Sequence, residues 1–198
     1  MRKCACSSVD RVPGYEPVGR GFESPQARQK KIRIRKNADF LHYIQGENDM
    51  SEKAIFTNMC MIYDEKGNIL VEERCKNDWR GIAFPGGHIE EREAFLDSVI
   101  REIKEETGLD IFEPKLCGVK QFYTDEDERY VVFLYKTNKF CGELRSSGEG
   151  RVFWIKRDEL KNYSLATDFE ALVSVFEEDE LCEFFCYEEN GKYARRII

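Results

Sequence analysis

Three glutamates near the middle of the chain, Glu102, Glu105 and Glu106, have the spacing most able to do chemistry. At about 100° per residue on a helix, Glu106 lies roughly 40° from Glu102 and Glu105 roughly 60° to its other side, so the three share an arc of about 100°. Like charges three and four residues apart repel by a few tenths of a kcal/mol per pair. The last turns of a helix are also the negative end of its dipole, where a cation is preferred. A solvated acidic face is the ordinary reading of such a cluster. Two features point instead to a bound cation. Lys104 lies on the neighbouring flank and does not compensate the cluster, and Pro85-Gly86-Gly87 ahead of the helix lets backbone carbonyls approach whatever the carboxylates hold. Carboxylates with a carbonyl and waters form a hard oxygen set suited to Mg²⁺ or Mn²⁺.

The elements that must position these groups follow from periodicity. Glu93 to Thr107 reads as a helix, with Phe95, Leu96, Val99, Ile100 and Ile103 forming its apolar stripe and Gly108 at the stop position. Ahead of it, Ala54 to Tyr63 is a strand, Asp64 to Gly67 a turn, and Asn68 to Glu73 the return strand of a hairpin. Lys76 to Arg80 is a polar loop carrying Trp79. Three strands follow, Leu116 to Tyr123, Tyr130 to Lys136 and Arg151 to Ile155. A second helix spans Asp168 to Phe176 on the stripe Phe169, Leu172, Val173 and Phe176, and Cys182 to Tyr187 with Tyr193 to Ile198 make a terminal hairpin. Strands on either side of a helix, joined by short turns, predict one mixed α/β layered domain.

Charge divides the chain unevenly. Of 31 basic and 38 acidic residues, residues 1–50 hold 10 and 6 (+4), leaving 21 and 32 (−11) for the other 148. A body at −11 repels phosphate backbones unless a cation intervenes, which argues against stable nucleic-acid binding. No stretch approaches the ~18–20 apolar residues of a membrane span, and the N-terminus lacks the apolar core of a secretory signal. The expected location is the cytoplasm, with the eight cysteines as reduced thiols. The lead, with its basic run from Arg28 to Lys36, reads as a disordered or non-native extension. Gly21-Phe22-Glu23-Ser24 is one reading frame of a transfer-RNA T-arm, GGTTCGAATCC, so Met50 is the expected authentic start.

Gly87 to Leu109 resembles the Nudix box, G-x5-E-x7-R-E-U-x-E-E-x-G-U, at every fixed position: Gly87, Glu93, Arg101, Glu102, Ile103, Glu105, Glu106, Gly108 and Leu109. From about Ser51 to Ile198 the text is similar to the MutT-like branch, the bacterial 8-oxo-dGTP diphosphatases and their mammalian homologue. The resemblance implies an α/β fold, a single-domain α/β/α sandwich with a mixed β-sheet. It also implies a Mg²⁺-dependent hydrolase (Mn²⁺ as substitute) that releases a nucleoside monophosphate and pyrophosphate and serves nucleotide-pool sanitation and DNA repair. Glu102, Glu105 and Glu106 would be metal ligands with the Gly86 carbonyl, and Glu93 would pair with Arg101. An acidic residue outside the box joins the metal site in this branch; Glu149 is the positional candidate and Glu143 its competitor. The proton of the attacking water would go to Glu105 or Glu149.

A purine needs an apolar slot with a few polar groups at its edge. Trp79, Phe84, Phe122 and Tyr123 flank the helix in sequence and could line one. In the mammalian homologue, acids before a late helix read the oxidised base. Asp168 occupies a comparable place here, though a helix N-cap or first-turn acid is the more ordinary reading of it, and Thr167 stands where the homologue has a second acid. The expected partner is a nucleotide, with no membrane and a monomer or homodimer. Alternatives are a Nudix hydrolase of ADP-ribose, a dinucleoside polyphosphate or capped RNA, or a nucleotide sensor without turnover. The ADP-ribose branch usually carries a proline some fifteen residues beyond the box, where this chain has Tyr123, Thr124 and Asp125.

Overall fold

The computed structural model describes residues 52–74 and 80–198. The expectations for the basic lead and for Trp79 lie outside the described residues. The elements in chain order are β1 (Ala54–Ile62), β2 (Asn68–Arg74), β3 (Gly81–Ala83), α1 (Phe95–Thr107), β4 (Leu109–Ile111), β5 (Lys115–Tyr123), β6 (Arg129–Thr137), β7 (Phe140–Gly142), β8 (Gly150–Lys156), a 3-10 helix (Arg157–Asn162), α2 (Phe169–Glu177), β9 (Glu183–Glu189) and β10 (Lys192–Ile197). Five strands form a mixed sheet in the order β1-β6-β5-β9-β10, three form an antiparallel sheet β3-β2-β8, and β4 pairs with β7. Among the described residues no helix is long and apolar enough to cross a membrane.

The expected hairpin of β1 and β2 does not form. Its turn is there: the Asp64 carboxylate accepts the backbone N–H groups of Lys66 and Asn68, both at 2.9 Å, and Gly67 has φ 77°. The two strands then separate after the single bridge Tyr63↔Ile69. β1 runs parallel to β6 over its whole length, and β2 pairs with β8 and β3. The reason is that the second edge of β1 is taken by the loop ahead of α1, where Ile89 donates to the Phe56 carbonyl and Thr57 bridges His88, while both faces of the strand are buried. Met59 and Met61 of β1 join Ile69, Val71 and the α2 residues Phe169, Leu172 and Phe176 in one cluster, while Cys60, Ile62 and Leu70 join Val99 and Ile103 of α1 in another. With β6 on one edge of β1 and the 85–89 segment on the other, β2 finds its partners in β8 and β3, and the period of two feeds alternate residues of β1 to opposite cores.

Helix α1 starts at Phe95, two residues later than the spacing predicts, because Glu93 is held outside it by Arg101. Its stop is the one expected: Gly108 takes φ 75° and its N–H reaches the Lys104 carbonyl. Phe95 does not reach the core. It remains 43 % exposed and packs on Phe133 and Phe56 at the rim. The terminal hairpin of β9 and β10 forms as expected, with Asn190 and Gly191 at its turn, and adds two strands to the large sheet beside β5.

Candidate metal and nucleotide site

The loop ahead of α1 is stitched to β1: Asn58 and Cys60 donate their N–H groups to the carbonyls of Gly87 and Pro85, both at 2.9 Å. By alternation the Gly86 carbonyl projects to the other side, the side from which the Glu106 carboxylate accepts the Gly86 N–H at 2.7 Å. No other residue fits at 86, where φ is 152° and a Cβ would fall 2.3 Å from the Asn58 carbonyl oxygen. At Gly87 the missing side chain leaves the space that Glu102 fills, its Oε2 standing 2.3 Å from where a Cβ would be. The glycine pair therefore admits two carboxylates against the backbone.

Arg101 locks the loop to the helix. Its Nε and Nη2 donate to the two oxygens of Glu93, each at 2.8 Å, and Nη2 also reaches the His88 carbonyl at 3.1 Å. Nη1 donates to Glu102 at 2.8 Å and to Glu105 at 3.3 Å. This guanidinium, with the Glu90 N–H, holds the Glu93 carboxyl down at about 2. The pairing of Glu93 with Arg101 is as the motif implies.

The three helix glutamates differ in surroundings. Glu106 is buried and Glu102 nearly so, while the Glu105 side chain is 60 % exposed. Burial pushes the Glu106 carboxyl up to about 8; Glu72, Glu102 and Glu149 add to the rise, and the Gly86 N–H opposes it. Burial likewise raises Glu102, with Glu105 and Glu149 contributing and Arg101 opposing. Glu149 thus acts on both inner carboxylates. Glu143, its competitor, is exposed and faces Arg145 at 3.4 Å.

Crowded carboxylates, a turned-in carbonyl and raised proton affinity are the donor chemistry of a hard divalent cation. Among the described residues no three such groups already converge into a closed cage. A cation held by Glu102, Glu105, Glu106 and the Gly86 carbonyl would share Glu102 and Glu105 with Arg101.

The aromatic expectations separate. Phe84 is 1 % exposed, its ring packed edge-on to Phe169 and Phe176 at 4.8 and 5.1 Å, so it supports the loop from the core and has no face for a base. Phe122 and Tyr123 are neighbours in β5 and point to opposite faces, so one slot cannot hold both. Tyr123 belongs to a cluster with Glu52 and Arg129 on the far side. Phe122 stacks on Tyr130 (4.8 Å, 17°), and His88, next to Gly87, stands edge-on to Tyr130 at 6.2 Å. The Lys120 ammonium lies 5.8 Å from the rings of both Phe122 and Phe184. A row of side chains therefore crosses the sheet from the glycine loop towards the start of α2.

At that end sits Asp168, in the left-handed region with φ 63° and making no cap with its side chain. Its carboxylate instead accepts the Tyr193 hydroxyl and the Arg195 guanidinium. The N-cap role is thus not taken, although the residue occupies the cap position.

A family model described as the NUDIX domain matches residues 56–175, more than half of the chain. The chain belongs to the Nudix family. An uncharacterized Nudix hydrolase YvcI of Bacillus subtilis is 31 % identical over 115 residues, covering 56 % of this chain and 70 % of that protein. An 8-oxo-dGDP phosphatase, NUDT18 of Danio rerio, is 26 % identical over 66 % of this chain, and an ADP-ribose pyrophosphatase of Methanocaldococcus jannaschii is 33 % identical over 46 %. The matches span only 34 % and 54 % of the lengths of those two. The crystal structure of a MutT protein from Bacillus halodurans superposes with a TM-score of 0.59 at 27 % identity, over 72 % of this chain and 97 % of that one. The Nudix chain described here is therefore a MutT-like hydrolase of phosphoric anhydrides with the α/β architecture that its box implies.

Two groups beside the candidate site residues escape a reading of the box. Glu72 is fully buried on β2, 3.8 Å from Arg74, and is the first charge acting on Glu106. Strand alternation carries the signal, since Glu72 shares a face with buried Leu70. Tyr193 and Arg195 reach Asp168 from the far end of the chain, a tertiary contact without a local mark.

Proposed function

We propose that this Nudix hydrolase is a Mg²⁺-dependent nucleoside triphosphate diphosphatase acting on oxidised purine nucleotides such as 8-oxo-dGTP, in cytoplasmic nucleotide-pool sanitation. The observation that carries the metal assignment is the seating of Glu106 on the Gly86 N–H and of Glu102 in the space above Gly87, two buried carboxylates brought to one backbone turn. Mg²⁺ there would neutralise phosphate charge and acidify water. The protein's own part is positioning: Arg101 fixes the loop on the helix, and Glu105, open to solvent with one oxygen on Arg101, offers the other to the proton of an attacking water. Glu149 supplies a further carboxylate from the segment before β8.

The substrate assignment rests on the row from His88 through Tyr130 and Phe122 to Asp168, which offers ring faces to a base and a carboxylate to its edge. The relative that is an 8-oxo-dGDP phosphatase supports it. The ADP-ribose pyrophosphatase relative supports a competing substrate, and both are tested together. With Mg²⁺, kcat/KM for 8-oxo-dGTP is expected to exceed that for dGTP and ADP-ribose by at least tenfold, with no turnover in EDTA. Equal or greater kcat/KM for ADP-ribose would overturn the substrate assignment.

A further inference from the structure

We infer that Tyr193 and Arg195, on the last strand, are positioning residues that fix Asp168 as a hydrogen-bond acceptor for the base, so that the terminal hairpin sets base discrimination. The inference rests on the proposed reading of Asp168 as the group at the base edge. Its support is geometric. Both Asp168 oxygens take donors from β10: the Tyr193 hydroxyl on Oδ2 and the Arg195 Nη1 on Oδ1. The Asp168 side chain is only 8 % exposed although it sits at a helix start on the surface. Cys186 of β9 backs the phenol, its Sγ 3.1 Å from the hydroxyl oxygen. Burial and hydrogen bonding to Asp168 and Cys186 keep that phenol protonated far above its ordinary range, hence a donor.

The other side of Asp168 is equally fixed. Ile82 of β3 exchanges backbone hydrogen bonds with the segment before α2, its N–H donating to the Ser164 carbonyl at 2.8 Å and its carbonyl accepting the Ala166 N–H at 3.1 Å. Phe169 packs on Phe84, two residues ahead of Gly86. The carboxylate is therefore placed relative to the glycine loop by β3 on one side and by the terminal hairpin on the other.

An ion-paired carboxylate that already receives an O–H and an N–H has only lone pairs left to offer. It can accept from a base edge and cannot donate to one. Guanine presents an acceptor at N7, whereas oxidation at C8 places a hydrogen on N7. A fixed acceptor rewards the oxidised base and meets the lone pair of the normal one with repulsion. A carboxylate free to rotate away would lose that distinction.

The test measures kcat and KM for 8-oxo-dGTP and dGTP on the full chain with saturating Mg²⁺, for wild type, Tyr193→Phe, Arg195→Ala and Arg195→Lys, with Tm recorded for each. The inference expects the ratio of kcat/KM values to fall at least tenfold in Arg195→Ala and at least threefold in Tyr193→Phe. The loss should lie in KM for 8-oxo-dGTP with kcat unchanged, and Arg195→Lys should recover part of it. If Arg195→Ala fails to fold, Tyr193→Phe, which removes one oxygen atom, decides the matter. A wild type that discriminates and variants that discriminate equally well, whatever their Tm, overturn this inference alone. A wild type without preference overturns the substrate reading and this inference with it.

Discussion

Substituting Gly87 by alanine separates the site from the fold. The added Cβ would stand 2.3 Å from Glu102 Oε2 and 2.5 Å from its carboxyl carbon, whereas real Cβ contacts do not fall below 3.0 Å. The carboxylate must therefore retreat by about 0.7 Å or more, or change rotamer. The obstacle is the far end of a side chain, so the cost to the fold is that of one off-rotamer torsion and a weakened bond to Arg101, together about 1–2 kcal/mol. In a chain of this size that lowers Tm by about 2–8 °C. The cost to catalysis is larger, since a misplacement of about 1 Å in a positioned group is worth about 10²-fold. Gly87→Ala is expected to keep its circular dichroism spectrum, melt a few degrees lower and lose about 10- to 100-fold in kcat at saturating Mg²⁺. Gly67→Ala serves as control: a Cβ there meets nothing within 4 Å, and only its φ of 77° is strained. It should cost about 1 kcal/mol and leave kcat unchanged. A Gly87→Ala protein with kcat within threefold of wild type would refute the placement of Glu102 in the metal site.

Other expectations follow from the charge pattern. Because the Glu106 carboxyl is raised to about 8 in the folded protein, the metal-free fold binds the proton more tightly than the unfolded chain; its contribution to stability is complete below about pH 4.5 and is lost as pH rises through about 8. Urea unfolding in EDTA should show the fold weakening over that window, Glu106→Gln should flatten the dependence, and Mg²⁺ at 100 times its Kd should return about 2.7 kcal/mol to wild type at the alkaline end. Glu149→Gln should lower kcat by tenfold or more while Glu143→Gln leaves it within twofold, since only Glu149 acts on Glu102 and Glu106; equal effects of the two would remove Glu149 from the site.

Much of the site was legible because it is local. Helix α1 and its glycine stop fall within one segment, where spacing translates directly into geometry, whereas the pairing of Glu93 with Arg101 came from the resemblance to the Nudix box, an arginine on a helix being otherwise a solvated charge. The fate of β1 and β2 was not legible: a turn signal reads as a hairpin, and only the tertiary pairing of β1 with β6 on one edge and with the glycine loop on the other sends the strands to separate sheets. The aromatic slot failed for a reason already in the sequence, since adjacent Phe122 and Tyr123 in a strand must face apart. Phe84 failed for another, because an aromatic before a glycine loop serves core and cleft equally well on paper, and the core holds it. Asp168 was singled out from the homologue's pattern, but nothing local announced its partners, which come from 25 and 27 residues away.

Diphosphatase activity is tested most directly by ³¹P NMR of 8-oxo-dGTP incubated with the purified protein and Mg²⁺. Equimolar 8-oxo-dGMP and pyrophosphate are expected, their formation abolished by EDTA and by Glu106→Gln. Release of orthophosphate with the nucleoside diphosphate, or turnover that persists in EDTA, would contradict a Mg²⁺-dependent diphosphatase.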